Sequence, residues 1–453
     1  MTMSTNTSAF DAALKVHRWL ETQKRIHTTG INWPAHGTLP PEEQLNVYYG
    51  GAGVALFYLG LYQQTKVDAY LALARQAADY LVANLPAKLD TQRRHESSYS
   101  NLRVDDQPGL YFGIGGVGVL LSQLQAIPGH ARYGEGARRV AKLIVDAAQE
   151  SGAGVAWSDV RDITTGSAGI GITLLALSRC MDFPVTRELA IASGRRLLEL
   201  AIPDGGGLRW EWEERERLVH PNFAHGAAGT GYFLLTLYQE TGDKAFLDAA
   251  LAGAAYLHSV ARHDGLICHS LNCTPDLFYL GWCHGPVGTG RFYYRLWQTQ
   301  GDAVWLERLF QLAEAVVGTG IPDAATDGLW NNVGICCGSA GVAEFFLDLY
   351  VLARGLCRSD APSYLAFAQR LVDNILERGI DDDDGLRWTQ AEHRTLPELL
   401  TTQTGYMQGA AGVGSVLIYF DALNRASTID EIDACAMQRL RLPDSPVFRA
   451  VSH

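Results

Sequence analysis

The sequence has few basic residues and no run of them. Lys and Arg together number 37 among 453 residues, against 49 Asp and Glu, and the formal net charge is −12. Binding to nucleic acid depends on clustered Lys and Arg side chains that neutralise phosphates. The composition therefore argues against a nucleic-acid partner.

Long apolar segments are missing as well. No apolar run reaches the ~18 residues that a helix needs to cross a bilayer, and the polar stretch Met1–Asp11 lacks the apolar region of a secretory signal. Eight cysteines are too few for a disulfide scaffold in a chain of this length. The adjacent pair Cys336 and Cys337 suits a metal better than a bridge. We therefore expect a cytoplasmic, reduced protein without a membrane span.

Glycine, in contrast, is abundant, with 47 residues, and it recurs in a fixed pattern. Seven Gly-x-x-Gly turns each run directly into an apolar helical stretch, and successive turns lie 53 to 71 residues apart. The leading glycines are Gly50, Gly113, Gly166, Gly226, Gly285, Gly338 and Gly409. One such unit cannot bury its own apolar face, so the repeat predicts units that close around a shared core.

Two kinds of helix alternate along the chain. The stretches after the glycine turns are almost uncharged, which is typical of a buried helix, whereas the stretches between them carry a charged stripe and should face water on one side. This second kind is predicted at Ala9–Ile26, Tyr70–Leu85, Arg138–Ala148, Arg187–Ala201, Phe246–Val260, Trp305–Val317 and Tyr364–Arg378. We predict an all-α fold, an α/α toroid in which seven inner helices lie inside seven outer helices.

The whole chain, residues 1–453, is predicted to form one domain of this kind. Its repeats cover about 48–420, and a C-terminal extension, 421–453, leaves the pattern. Within the extension, Leu442–Pro446 is expected to be extended chain packed across the outside of the ring. Loops with Asp-Gly followed by Leu or Trp, such as Asp384–Trp388, predict short strands or packed anchors on one face.

Side chains that bind soft metal ions stand directly before three consecutive glycine turns. Of the six residues in the two positions ahead of the fourth, fifth and sixth leading glycines, five are histidine or cysteine. Zn²⁺ takes thiolate and imidazole ligands in tetrahedral geometry, and a catalytic site leaves one position open. Cys283, Cys336 and Cys337 supply three ligands at two adjacent helix N-termini, which also lower the pKa of a thiol. We interpret them as a zinc site, in preference to buried core cysteines.

Two histidines and an aspartate occupy related positions. A catalytic zinc site needs a free position, so His225 fits a general acid/base better than a fourth ligand or a core histidine. His284 could do the same job or could support a ligand. Asp162, four residues before Gly166, could orient His225, although Asp159 is close by and an Asp before a helix is often only its cap.

Two other motifs and one other class of barrel are set aside. Gly113–Gly118 matches the dinucleotide-binding pattern G-x-G-x-x-G, but it is one of seven equivalent helix starts and not the turn of a βαβ unit. Cys268, His269 and Cys273 have an irregular spacing that is typical of a loop and not of a second metal cluster. The paired acidic residues of a carbohydrate-active barrel are missing from the positions before the glycines.

In these residues the chain resembles the LanC family of lanthionine synthetase cyclases. The matching motifs are His225-Gly226, Trp282-Cys283-x-Gly285 and Cys336-Cys337-Gly338, and the resemblance extends from Tyr48 to about Pro446. It implies a barrel with one Zn²⁺ at its mouth, held by the three cysteines. It also implies a dehydrated ribosomal precursor peptide as the substrate. In such a peptide a cysteine thiol adds to dehydroalanine or dehydrobutyrine and closes a thioether ring.

The resemblance also assigns roles to single residues and exposes three departures. His225 matches the histidine of the family's His-Gly motif, and Asp162 matches its aspartate ahead of the third turn. Cys337 replaces the more usual histidine ligand, His284 replaces a tyrosine, and Tyr279 replaces a common arginine. Because a third thiolate makes the site more negative, we expect the substrate thiolate to be more nucleophilic than with a histidine ligand.

Three functions are open at this point. The first, which we predict, is a stand-alone peptide cyclase that acts after a separate dehydratase, since no dehydratase-like segment fits within these residues. The second is a LanC-like enzyme that joins glutathione to a dehydroamino acid in damaged protein. The third is a non-catalytic, zinc-containing barrel that binds peptides, a reading that Tyr279 keeps open.

Overall fold

The fold is a ring of helices inside a second ring of helices. The computed structural model describes residues 8–35, 43–91, 105–213, 218–324 and 327–450. The inner helices are α2 (Gly51–Thr65), α4 (Gly115–Gln125), α6 (Ser167–Ser178), α8 (Ala227–Thr241), α10 (Pro286–Gln300), α12 (Ser339–Gly355) and α14 (Ala410–Arg425). The outer helices are α1 (Ala9–Gln23), α3 (Asp68–Ala83), α5 (Tyr133–Asp146), α7 (Pro184–Glu199), α9 (Lys244–Val260), α11 (Ala303–Gly318) and α13 (Ala361–Glu377). A further helix, α15 (Ile429–Gln438), lies in the C-terminal tail.

Contacts between neighbouring helices close both rings. Each inner helix packs against the next inner helix along the chain, and α14 packs against α2, which completes the circle. Each outer helix from α3 to α13 packs on the inner helix that precedes it, while α1 packs on α14. The predicted α/α toroid of seven inner and seven outer helices is therefore confirmed.

The two kinds of helix differ in burial as their composition predicts. Ten of the twelve residues of α6 are buried, so this helix has no face in water. In α5 the buried residues are Tyr133, Gly136, Ala137, Val140, Ala141 and Ile144, a spacing that puts them on one stripe. Among the described residues, no helix combines the length and the apolar character that a bilayer crossing requires.

The glycine turns let the inner helices begin in close contact with the loops that precede them. A Cβ atom at Gly412 would lie 1.7 Å from the carbonyl oxygen of Tyr406, and one at Gly229 would lie 2.1 Å from that of Phe223. No other residue fits these positions without moving the backbone. The repeated second glycine therefore serves close packing at the helix start.

Twelve short strands form the loops between the rings in the described part of the chain. The strands are β1 (Arg25–His27), β2 (Gly30–Asn32), β3 (Gln149–Ser151), β4 (Gly154–Ala156), β5 (Ile202–Asp204), β6 (Gly207–Arg209), β7 (Phe278–Tyr279), β8 (Leu329–Trp330), β9 (Ile380–Asp382), β10 (Gly385–Arg387), β11 (Thr389–Ala391) and β12 (Leu400–Thr402). Consecutive strands pair as antiparallel hairpins, except that β7 and β8 are parallel. Four of the hairpins directly follow outer helices.

Tryptophan side chains fix these four hairpins to the outer helices. In each case the indole N–H donates a hydrogen bond of 2.7–2.8 Å to a carbonyl oxygen 13 residues earlier, near the end of the preceding helix. The pairs are Trp33 with Leu20, Trp157 with Ile144, Trp210 with Leu197, and Trp388 with Ile375. The predicted packed loop anchors are therefore present.

A circle of backbone hydrogen bonds joins the repeats at the mouth, which is the end of the ring where the inner helices begin. The donors and acceptors are the residues two positions before each leading glycine. The bonds run from Tyr48 to Tyr111, Tyr111 to Thr164, Ala224 to Cys283, Cys283 to Cys336, Cys336 to Met407 and Met407 to Tyr48, at 2.8–3.2 Å. The circle is interrupted at Thr164, whose N–H donates instead to Asp162 Oδ1. Corresponding positions of all seven repeats thus lie side by side.

The C-terminal tail takes a different path from the one expected. The expected extended chain at Leu442–Pro446 is wrong, because a turn at Pro443 and Asp444 is closed by a 2.9 Å hydrogen bond from the Ser445 N–H to the Leu442 carbonyl oxygen. The segment also lies inside the molecule, where the Asp444 side chain is fully buried. The Asp444 carboxylate accepts hydrogen bonds from the Tyr111 hydroxyl, the Trp282 indole and Arg291. The prediction missed this path because an aspartate with no partner in sequence reads as a surface residue.

Candidate metal centre at the mouth of the ring

Three cysteine side chains meet at the mouth of the ring. Cys283 precedes α10, and Cys336 and Cys337 precede α12, so the circle of backbone bonds places them next to each other. Cys337 Sγ lies 3.3 Å from Cys283 Sγ and 3.5 Å from Cys336 Sγ, and all three side chains are buried. The structure thus brings together the thiols that the sequence singles out.

The sulfur positions fit a tetrahedral zinc site. Zn–S bonds of about 2.3 Å place the sulfurs of such a site about 3.8 Å apart. The three Sγ atoms lie within 4.8 Å of one another, so small side-chain movements would reach that spacing. The donor set, three thiols at two helix N-termini, also matches the ligands that Zn²⁺ prefers. The residues present therefore fit this ion.

The electrostatics of the three thiols also favour a bound cation. Burial raises the pKa of Cys283 and of Cys336. The two neighbouring thiols raise the pKa of Cys283 further, whereas at Cys336 the hydrogen bond with Cys283 lowers the pKa and Cys337 raises it. Hydrogen bonds from Cys283 and Cys336 lower the pKa of Cys337 well below its ordinary value. The protein by itself therefore stabilises one negative charge in the cluster, and three thiolates require a positive ion among them.

His225 is held by a buried carboxylate. Its Nδ1 atom lies 2.5 Å from Asp162 Oδ2, and the indole of Trp212 packs on its ring with centroids 4.5 Å apart. The His225 ring centroid lies 5.4 Å from that of His284, the residue after Cys283. The contact through Nδ1 leaves Nε2 as the nitrogen that can exchange a proton with a substrate.

Asp162 holds the loop before α6 and is also the partner of His225. Its Oδ1 atom accepts backbone N–H bonds from Thr164, Thr165 and Gly166 at 2.8–3.1 Å. Burial raises its pKa, but the bonds from His225, Thr164 and Thr165 outweigh burial and hold the pKa of Asp162 below its ordinary value. Asp162 is therefore not the N-cap of α6, whose N-cap residue is Gly166. Asp162 rather than Asp159 is the carboxylate that contacts His225.

A group of histidines beside the thiols was not predicted. The rings of His220, His269 and His284 lie with centroids 4.3–5.0 Å apart. His269 is the middle of the Cys268–His269–Cys273 motif, yet its partners here are histidines from other loops and not those cysteines. No signal in the repeat points to His220 or His269, because both lie outside the positions before the glycines.

The position of Tyr279 is supported by a residue from the far end of the chain. The guanidinium of Arg394, in the loop between β11 and β12, lies close enough to Tyr279 to oppose the rise in the pKa of its hydroxyl. Burial raises the pKa of Tyr279, and negative charge on Cys337 and Cys283 raises it further, so the hydroxyl stays protonated. The same loop contacts the mouth through Glu392, which accepts a hydrogen bond from Tyr49. A guanidinium and a phenol thus lie beside the thiols.

Comparisons with known proteins agree with the fold of two concentric rings of helices. A family model described as lanthionine synthetase C-like protein matches residues 41–433. Among solved structures, nisin cyclase superposes with a TM-score of 0.61 at 16% identity, covering 90% of this chain and 93% of that chain. The Lin0763 protein from Listeria innocua superposes with a TM-score of 0.48 at 12% identity, covering 92% of this chain and 97% of that chain. A comparison with curated protein sequences gives no match.

Proposed function

The chain belongs to the lanthionine synthetase C-like family, and on this basis we propose that it is a zinc-dependent peptide cyclase. The proposed reaction adds a cysteine thiol of a dehydrated ribosomal precursor peptide to a dehydroalanine or dehydrobutyrine residue of the same peptide. The product is a lanthionine or methyllanthionine thioether ring. A separate dehydratase would supply the substrate.

The observation that carries this proposal is the meeting of three buried thiols beside a histidine held by a carboxylate. Cys283, Cys336 and Cys337 would be the ligands of the ion, and the fourth position would belong to the substrate. The chemistry that a bound Zn²⁺ would supply is to lower the pKa of the substrate's thiol, so that a thiolate is present at neutral pH.

Proton movements fall to His225 and Asp162. In the addition, the substrate sulfur bonds to the β-carbon of the dehydro residue, and the electrons of the double bond move toward its carbonyl oxygen. The α-carbon then takes up a proton. The S–H bond and the π bond of C=C are thereby replaced by one S–C bond and one C–H bond. Asp162 holds Nδ1 of His225, so Nε2 would accept the proton of the thiol or deliver one to the α-carbon. His284, beside Cys283, would position the substrate.

Arg394 would stabilise the negative charge that develops on the carbonyl oxygen. This charge needs a hydrogen-bond donor or a cation in a site that excludes water. Tyr279, where an arginine is common in the family, cannot supply a cation, but Arg394 brings a guanidinium to the Tyr279 hydroxyl. Arg394→Ala should lower the cyclisation rate about 100-fold or more, a size typical for the loss of one such donor, while Arg394→Lys should restore part of it. Equal rates in all three proteins would exclude this role.

The test of the proposed function combines metal content with ring formation. Zinc per chain is measured for the wild type, for Cys283→Ala and Cys336→Ala, and for Cys180→Ala as a control at an exposed cysteine. The same proteins are incubated with a peptide that contains one cysteine and one dehydroalanine. Loss of alkylatable thiol without a change in peptide mass reports the ring.

We expect one zinc at the thiolate site and ring formation in the wild type and in Cys180→Ala. Both should be lost in the other two variants. Adducts with added glutathione, without ring formation, would replace the proposal by the glutathione-using alternative. Zinc at the thiolate site, without ring formation and without glutathione adducts, would instead indicate a peptide-binding subunit.

A further inference from the structure

A second group of metal-ligating side chains lies next to the thiols. The ligand nitrogens of His220, His269 and His284 lie within 4.8 Å of one another. The three residues come from different loops: His220 lies before α8, His269 lies after α9, and His284 stands just before α10. Their rings are tilted by 51–77° to one another and are not stacked face to face. One ligand nitrogen from each of the three loops thus lies close to the other two.

One nitrogen in this group has no hydrogen-bond partner among the residues that the structure describes. His284 is 6% exposed, and its Nδ1 atom makes no hydrogen bond with any residue that the structure describes. A buried polar atom without a partner costs about 1–3 kcal/mol. Such an atom therefore points to a bound group that satisfies it.

The other two rings are oriented as metal-binding imidazoles usually are. His220 Nδ1 lies 3.0 Å from the carbonyl oxygen of His269, and His269 Nδ1 lies 3.1 Å from the Thr274 hydroxyl. Histidine ligands commonly bond to a carbonyl or hydroxyl group through one ring nitrogen and to the metal through the other. In both residues the printed contact is made through Nδ1, and Nε2 is the nitrogen on the opposite side of the ring.

We propose that His220, His269 and His284 form a second metal site, distinct from the three-thiolate site, that binds Zn²⁺ or another divalent ion that prefers imidazole. Three imidazoles are a ligand set that suits such ions. Zn–N bonds of about 2.0–2.1 Å place nitrogens about 3.4 Å apart, so the rings would move inward by roughly an ångström. The proposed cyclisation does not require a metal ion at this second site.

The charge state of the group agrees with this assignment. Burial lowers the pKa of His269 to about 3, and charge on His220 lowers it further. The His269 ring is therefore neutral at pH 7, which is the form that coordinates a metal.

The test removes the thiolate site and asks whether an ion still binds. In the full-length chain, Cys283, Cys336 and Cys337 are all replaced by Ser, and Zn²⁺ alone is titrated by calorimetry. We expect one Zn²⁺ per chain. In this background His220→Ala and His269→Ala should each weaken binding more than about 100-fold, because a direct ligand matters more than its hydrogen-bond partner, whose loss costs 10–100-fold. His263→Ala, at an exposed histidine, is the matched control and should change nothing.

Two results would overturn the assignment. One is a folded triple-serine protein, by circular dichroism, that binds no Zn²⁺. The other is binding that His263→Ala weakens as much as His269→Ala does. If the triple-serine protein does not fold, the zinc content of the wild type is compared with that of His269→Gln, in which all three cysteines are kept. Two ions in the wild type and one in His269→Gln support the second metal site. One ion in both proteins excludes it. Neither result depends on whether the protein cyclises peptides.

Discussion

At the scale of single residues, the mouth of the ring depends on side chains that serve two purposes. Asp162 bonds to backbone N–H groups of the loop before α6 and also holds His225. Cys337 is both a neighbour of two thiols and an acceptor for Gln408 Nε2 at 3.5 Å. The repeat position predicted both residues from sequence. The angle at which each side chain meets its partner depends on the neighbouring repeat, which sequence alone does not describe.

The pH dependence of stability should report the buried Asp162 carboxylate. Its pKa is lower in the folded protein than in the unfolded chain, so its contribution is fully present above about pH 4 and is lost as the pH falls through the folded-state pKa. Asp162→Asn should therefore lower the free energy of unfolding at pH 7 by about 1.5–3 kcal/mol, the worth of a hydrogen bond to a charged group. The difference from wild type should shrink at pH 3.

Denaturant unfolding at both pH values checks this prediction, with Asp159→Asn as the control. The control should leave both the unfolding free energy and the cyclisation rate near wild type, since Asp162 is the carboxylate that contacts His225. A deficit in Asp162→Asn of the same size at pH 3 and pH 7 would show that shape, and not charge, makes its contribution.

The identity of the third thiol ligand should set the reactivity of the site. Cys337→His replaces an anionic ligand by a neutral one, so the substrate thiolate should become less nucleophilic. We expect about a tenfold fall in the cyclisation rate, a size typical of changes that tune a metal, together with narrower substrate selectivity. Single-turnover rates on two peptides, in protein that contains zinc, measure this. Unchanged rate and selectivity would contradict the charge argument.

At the scale of secondary-structure elements, the start of each inner helix is fixed by contact with the loop before it. The glycine pattern located all seven inner helices, because a turn followed by an uncharged stretch has few alternatives in a folded protein. The outer helices were also located, with ends that differ by a few residues from those expected. Two of the four anchored hairpins, those of Trp210 and Trp388, followed from Asp-Gly and Trp residues, which mark turns and large buried side chains. The hairpins of Trp33 and Trp157 have no Asp-Gly and were not predicted.

Gly412→Ala should destabilise the protein because the added methyl group has no space. A Cβ there would lie 1.7 Å from the Tyr406 carbonyl oxygen, and the backbone at the start of α14 would have to move. We expect a loss of about 1–3 kcal/mol in the free energy of unfolding, as for other overpacked sites. Gly318→Ala, at the end of α11 where a Cβ would meet nothing within 4 Å, is the control. It should be neutral or slightly stabilising in thermal unfolding.

At the scale of the whole molecule, the C-terminal tail ties the inner helices together from within. Three guanidinium groups and three carboxylates form a buried ion-pair network that joins the tail to α10 and α12 and consists of one connected chain of four residues and one separate pair, Arg441 with Asp348. Its members are Arg291, Glu344, Asp348, Arg439, Arg441 and Asp444. The charges balance, so the network is stable only while every member is present.

Removal of Asp444 should cost far more than removal of an exposed carboxylate. Asp444→Ala leaves Arg291, which lies 3.0 Å away, without its nearer partner in a buried position. Breaking a buried ion pair in this way costs about 3–5 kcal/mol, so the denaturation midpoint should fall clearly. Asp248→Ala, at an exposed position of α9, should change stability by less than about 0.5 kcal/mol. Similar losses in both variants would mean that the tail contributes little to the ring.

The sequence by itself determined the number of repeats, the alternation of inner and outer helices, and the meeting of Cys283, Cys336 and Cys337. These features depend on positions that are fixed within a repeat, so closing the ring brings equivalent positions together. Only the tertiary structure decided that His220 and His269 join His284, that Arg394 reaches Tyr279, and that Asp444 lies inside the ring. Those residues lie in loops or in a tail that do not repeat, and their neighbours are set by how the chain closes in space and not by any spacing along it.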